Sequence, residues 1–189
     1  MEYSIKVLIL TTSFPTIKKP LNGVFVKKYV DNLPKSIEPV VLAPASNIDN
    51  DCDIDADYQY YGYRYAPRAL RILAQSAGGI PNAIKTNPAL IIIVPMFLSV
   101  MFIKTILLAR RVKVIHANWS INGVVGCVVG KLLNKPVITT FRGADLNSAA
   151  TSKFMRALIK ICMAMSEFVT VVSMDMKAKL LSEYPKKKR

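Results

Sequence analysis

The sequence predicts an α/β fold: a doubly wound, mostly parallel sheet with helices on both faces, within one 189-residue chain. Two observations carry this prediction. Val112–His116 and Val137–Phe141 are short β-branched runs flanking a small-residue helical segment, and each ends in polar residues and a turn. That is the pattern of a βαβ unit. Ile5–Leu10 is a continuous apolar run, as expected of a strand buried on both faces of a parallel sheet. Such sheets place their chemistry in the loops after the strand C-termini. His116, Asn118 and Trp119 after one strand, and Arg142, Gly143 and Asp145 after the other, mark the expected ligand face.

The remaining elements follow in chain order. After the first strand comes the loop Thr12–Gly23, then a helix over Val24–Leu33, with Val26, Tyr29, Val30 and Leu33 on one face. Asn22 and Gly23 sit at its start. Glycine there lets backbone N–H groups approach a ligand closely, and a helix N-terminus attracts anions; a simple turn and cap is the other reading. Pro39–Ala43 reads as a second strand and Tyr58–Tyr65 as a third, while Leu70–Ala77 has helical spacing broken by Gly78-Gly79. Beyond Arg142, Lys153–Met165 reads as a helix and Phe168–Val172 as a strand. Ser173 is a fitting N-cap for a helix over Met174–Tyr184. The chain then reaches Pro185-Lys-Lys-Lys-Arg without a closing element, which reads as an interruption.

Composition narrows the function classes. Hydrophobic residues make up 52% and charged residues 20%, which excludes a disordered chain. Without a Gly/Ser- or Pro-rich linker, residues 1–189 read as a single domain. The net charge is +14, and five of the 12 acids are Asp49, Asp51, Asp53, Asp55 and Asp57. The acidic run lacks the Gly and Glu that a calcium loop needs, with Ile54 and Tyr60 in their places, so it reads as an exposed loop. The basic remainder favours phosphates or an anionic membrane surface. No interleaved aromatics or helix-turn-helix pattern points to nucleic acid, which is not expected as a partner. One histidine and the scattered Cys52, Cys127 and Cys162 do not make a metal site, so neither metal nor cofactor is expected. The cysteines suit a reduced, cytoplasmic chain.

Residues 86–103 carry no charge and are followed by Lys104, Arg110, Arg111 and Lys113. Pro88 and Pro95 interrupt the stretch, and a βαβ unit follows it directly. A helix buried or docked at the surface is therefore favoured over a membrane span. A docked helix with a basic rim also suits peripheral attachment to the inner face of the cell membrane.

In order along the chain, VLILTTSFP and NGVFVKKYVDNL, then YRYAPRALRILAQSAGGIPNAIKTNP, VIHANWSINGVVG, KPVITTFRGADLN and FVTVVSMDMKAKL resemble the N-terminal, acceptor-binding domain of family-4 retaining glycosyltransferases of the GT-B fold. The resemblance implies a Rossmann-like half of a two-domain enzyme. The missing C-terminal domain would bind the nucleotide-sugar donor through paired glutamates that this chain lacks. It also implies transfer on one face of the sugar, without a protein nucleophile, to a glycan, lipid or polysaccharide acceptor. A non-catalytic membrane- or glycan-binding partner domain is the other reading.

Arg142 stands where many relatives have a histidine that approaches the donor sugar. Arginine cannot serve as a base, but it can stabilise a departing diphosphate. On this resemblance Arg142 and His116 are the catalytic candidates, although His116 could instead support its loop. Asn22, Gly23, Trp119, Gly143, Asp145 and Ser173 are the substrate-binding candidates. Trp119 either stacks on a sugar or packs at the rim. Asp145 either binds hydroxyls or caps the next helix, and Ser173 suits a cap better than a ligand. A bulky residue at Gly23 is expected to abolish transfer and leave the fold intact.

Overall fold

The computed structural model describes residues 4–16, 20–45, 58–67, 70–71, 73–74 and 79–184. The acidic run with its candidate cation loop, Cys52 and the basic C-terminal pentapeptide lie outside the described residues.

Six parallel strands form one sheet in the order β3-β2-β1-β4-β5-β6. They are β1 (Ile5–Leu10), β2 (Ile37–Pro44), β3 (Gln59–Tyr63), β4 (Val114–Asn118), β5 (Val137–Phe141) and β6 (Phe168–Val171). The helices are α1 (Val24–Asp31), α2 (Gly79–Thr86), α3 (Val94–Ala109), α4 (Ser120–Leu133), α5 (Gly143–Thr151), α6 (Lys153–Met165) and α7 (Met174–Glu183). This is the α/β, Rossmann-like architecture that the sequence predicts.

The period-two alternation of a strand divides the core. Val7 and Ile9 of β1 join Val26 and Val30 of α1 on one side. Leu8 and Leu10 join Phe97 and Met101 of α3, with Val125 and Val129 of α4, on the other. The small residues of α4 let it lie close to the sheet: a Cβ on Gly130 would come within 2.3 Å of Val137 Cγ2. Cys127 and Cys162 are buried free thiols.

Three elements differ from their sequence reading. Leu70, Arg71, Leu73 and Ala74 lie in a short 3-10 stretch and turns rather than a helix, and residues 72 and 75–77 are outside the described residues. The helix instead begins at Gly79, the position where the sequence reads as a break. β4 continues to Asn118 because its ladder to β5 runs on through the pair Asn118–Thr140. The apolar stretch splits at its prolines. Pro88–Ile93 is a 3-10 helix capped by Asn87 Oδ1, which accepts from Ala89 N at 3.2 Å. Pro95 then fits the first turn of α3, where its missing N–H costs nothing. Pro88–Ala109 is apolar and long enough to cross a bilayer, at 22 residues and mean hydropathy 2.5. In the fold it docks through Phe97, Met101, Thr105 and Ala109 and leaves Ile92, Met96, Ile103 and Leu107 exposed.

Candidate functional site

Strand order reverses between β1 and β4, where successive connections leave in opposite directions. At that point the loops diverge and open a crevice beyond the strand C-termini. A cavity of about 550 Å³ lies there, lined by residues following β1 (Ser13, Asn22, Gly23), β4 (Trp119, Ser120) and β5 (Arg142, Gly143, Asp145). The N-termini of α1, α4 and α5 converge on it.

Arg142 dominates its chemistry. The guanidinium donates from Nη2 to Asn118 Oδ1 at 3.0 Å. It lies 4.2 Å from the centroid of Phe25 and 5.6 Å from that of Trp119, the two rings meeting edge-on at 5.7 Å. Burial lowers its pKa, and the Asp145 carboxylate opposes that shift; an arginine so placed stays charged. Arg142 Nε and Asn118 Nδ2 are buried without a hydrogen-bond partner among the described residues. The site thus presents a partly desolvated cation, where an anion is held more strongly than in water.

Asp145 builds the floor. Its Oδ1 accepts from Ser120 N at 2.9 Å and Ser120 Oγ at 2.7 Å, and its Oδ2 from Arg142 N at 3.0 Å. One carboxylate therefore caps both α4 and α5. Burial raises its pKa, while the donors from Arg142 and Ser120, and then the Arg142 charge, pull it down. With its oxygens held by the backbone, the capping role accounts for its contacts.

Trp119 has φ 67° and ψ 158°, a conformation costly for a residue with a side chain. It is held there by Trp119 N donating to Thr140 O and by Gly123 N donating to Trp119 O, at 3.0 and 2.9 Å. Gly23 has φ 66°, and an added Cβ would stand 2.2 Å from Ser13 O. The expectation that a bulky residue at 23 spares the fold is therefore wrong, because the backbone itself is in the way. Asn22 braces the same turn, its Oδ1 accepting from Ser13 Oγ at 2.6 Å.

Two candidates lie elsewhere. His116 does not line the cavity. It is 7% exposed, stands edge-on to Tyr29 at 5.1 Å and pairs Nε2 with Thr140 Oγ1 at 2.7 Å, and Thr140 pairs onward with Thr170 at 2.7 Å. Burial, then the Arg142 charge, push its pKa down to about 4, so the ring is neutral. Ser173 lies at the C-terminal end of β6 and caps α7, accepting from Met176 N at 3.2 Å. Conversely, Phe25 and Ser120 hold the site together without being expected from the sequence, and Asn118, expected on the ligand face, proves to be the partner that steadies Arg142. Asn118 does stand in the polar run ending β4; Phe25 carries no sequence signal beyond its nearness to Gly23.

No protein-family model matches the chain, and no curated protein matches it in sequence. Solved structures match its fold. Sucrose-phosphate synthase from Thermosynechococcus elongatus aligns with TM-score 0.64 and 11% identity over 95% of this chain and 45% of its own. A shorter form of that protein aligns with TM-score 0.56 and 12% identity, over 93% of this chain and 80% of its own. HepE from Anabaena, solved in complex with UDP-glucose, aligns with TM-score 0.52 and 16% identity over 87% of this chain and 36% of its own. At such identities the likeness is one of fold, and the fold is that of a GT-B glycosyltransferase domain. The chain spans less than half the length of two of these neighbours.

Proposed function

We propose that this chain is the acceptor-binding half of a nucleotide-sugar-dependent, retaining glycosyltransferase of the family-4 type. It would add a sugar to a glycan, lipid or polysaccharide acceptor. The observation that carries this reading is Arg142, a half-buried guanidinium set on Phe25 and Trp119 and steadied by Asn118, at the mouth of the switch-point crevice.

Breaking an anomeric C–O bond to a diphosphate puts negative charge on the departing phosphate oxygen. Arg142 would meet that charge, and its fixed geometry would spare reorganisation as the charge develops. Trp119 offers a ring face or edge to a sugar, and Gly23 keeps the β1–α1 turn low enough for the α1 N-terminus to face the cavity. His116, neutral and bound to Thr140, steadies β4 against β5 from behind. Donor contacts would come mainly from a second, nucleotide-sugar-binding half across the cleft, in the same polypeptide or a partner. The exposed apolar side of α3 and its flanking bases support work at the cytoplasmic face of a membrane.

The test is a transfer assay on material recovered natively from the source cells, with labelled nucleotide-sugars and the membrane fraction as acceptor. Arg142→Gln should lower transfer roughly 100- to 1,000-fold. A wild-type assembly that transfers no sugar from any common nucleotide-sugar would refute the reading and leave the non-catalytic binding domain in its place.

A further inference from the structure

We infer that an apolar trough beside the crevice takes the hydrocarbon chain of a lipid-linked acceptor whose anionic head lies in the crevice, within the field of Arg142 but beside the place of the donor's departing phosphate. The inference rests on the transferase reading for the place of the head, and it goes further by naming the acceptor's chemical class.

A second cavity, of about 760 Å³, runs between α2, α3, α4, the C-terminal part of α5, with its polar Asn147, Ser148 and Thr151, and the start of α6. Ile84, Leu98, Phe102, Val124, Phe154 and Leu158 give it carbon walls, and among the described residues Lys85 is the one charged residue lining it, exposed at the rim. Both volumes lie within the range of about 300–1,000 Å³ usual for ligand pockets. The two cavities are neighbours: Ile80, Ile121, Ser148 and Met155 line both. Side by side they offer a cationic end at Arg142 and an apolar end, the profile of an amphiphile with one anionic terminus. An inserted peptide would bring backbone N–H and C=O groups into walls that offer few partners, which is costly. A hydrocarbon chain brings none.

Charge and position favour the same occupant. From Tyr58 to Ala144 the chain has no acidic residue and eleven basic ones, and this stretch supplies α2, α3 and α4. The trough is lined by Val94, Leu98 and Phe102 on one flank of α3. The exposed positions Met96, Ile103 and Leu107 lie on the same helix outside it.

The test compares dodecyl phosphate with butyl phosphate, both below the micelle-forming concentration of the longer, by calorimetry and by emission of Trp119, the sole tryptophan. Dodecyl phosphate should bind at least roughly tenfold tighter, because its added methylenes leave water. Ile84→Phe, which fills the trough, and Phe102→Asp, which charges it, should each remove that advantage and leave butyl phosphate binding unchanged. Circular dichroism checks that both variants fold. Arg142→Gln should weaken both phosphates by a similar factor.

Equal binding of the two phosphates overturns the inference, and the transfer assay still decides the transferase reading. A chain-length advantage that survives both trough variants places the chain elsewhere and also overturns it. An advantage that is removed by the trough variants while neither phosphate responds to Arg142→Gln marks a lipid unconnected with the site, and overturns the acceptor assignment.

Discussion

Three residues around the crevice do distinct physical work, and each predicts a different outcome. At Gly23 a methyl group meets the Ser13 carbonyl at 2.2 Å while φ stays at 66°. Gly23→Ala should cost about 2–4 kcal/mol in urea unfolding, from overpacking and the left-handed backbone together. Asp145→Ala strips a carboxylate from two buried N–H donors and a hydroxyl. It should cost about 2–4 kcal/mol, since lost partners cost more than made bonds gain. His116 predicts a pH dependence. Its folded pKa of about 4 lies below the ordinary value of 6.5. Its contribution is therefore complete above pH about 6.5 and is lost as pH falls toward 4, where the unfolded chain binds the proton more readily. Between pH 7 and 4 the chain should lose about 3 kcal/mol more than His116→Gln, which can keep a bond to Thr140. Asp145 has a raised pKa and acts in the opposite sense. Because both proteins carry it, its effect cancels in the difference, and equal pH slopes would show that His116 is not desolvated as the structure describes.

At the scale of elements, α3 is unusual in being apolar on nearly every side while only part of it is covered. A helix with such a composition normally reads as buried or membrane-spanning. Here the sheet and α4 cover Phe97, Met101 and Thr105, and Ile103 is left 55% exposed. Two substitutions separate the covered from the uncovered side. Met101→Ala should cost about 2–5 kcal/mol, as a truncation in a packed core. Ile103→Ser should change stability by no more than about 0.5 kcal/mol. It should nevertheless lower cosedimentation with anionic phosphatidylglycerol vesicles; unchanged cosedimentation would dismiss the outer side of α3 as a membrane contact. The two sides also show why sequence reading goes only so far. β1 and β5 are legible because an apolar β-branched run between polar turns has few other uses in a parallel sheet. α2 is not, because Gly79 and Pro81 look like breakers until tertiary contacts hold Ile80 and Ala83 in the core. The place of the site was legible from strand ends, whereas its composition was not. Phe25, Asn118 and Arg142 are brought together only by the strand order.

For the whole molecule, the salt dependence separates the two forces that the head and the chain of an amphiphile would meet. The net charge of +14, with the acid-free stretch from Tyr58 to Ala144, sets a field that draws anions toward the crevice from outside contact range. Salt shortens that reach: the screening length falls from about 30 Å at 0.01 M to about 3 Å at 1 M. Contact between a phosphate and a half-buried Arg142 is screened less than the field outside, and burial of a hydrocarbon chain is not weakened by screening at all. Raising sodium chloride should therefore weaken butyl and dodecyl phosphate alike, mainly through slower association, and leave the ratio of their affinities unchanged. Stopped-flow emission from Trp119 gives both quantities in one experiment. A ratio that collapses with salt would mean that the longer phosphate is held by charge alone, with no chain in the trough. Association rates indifferent to salt would mean that the positive field does not reach the crevice and that Arg142 captures its anion only on contact.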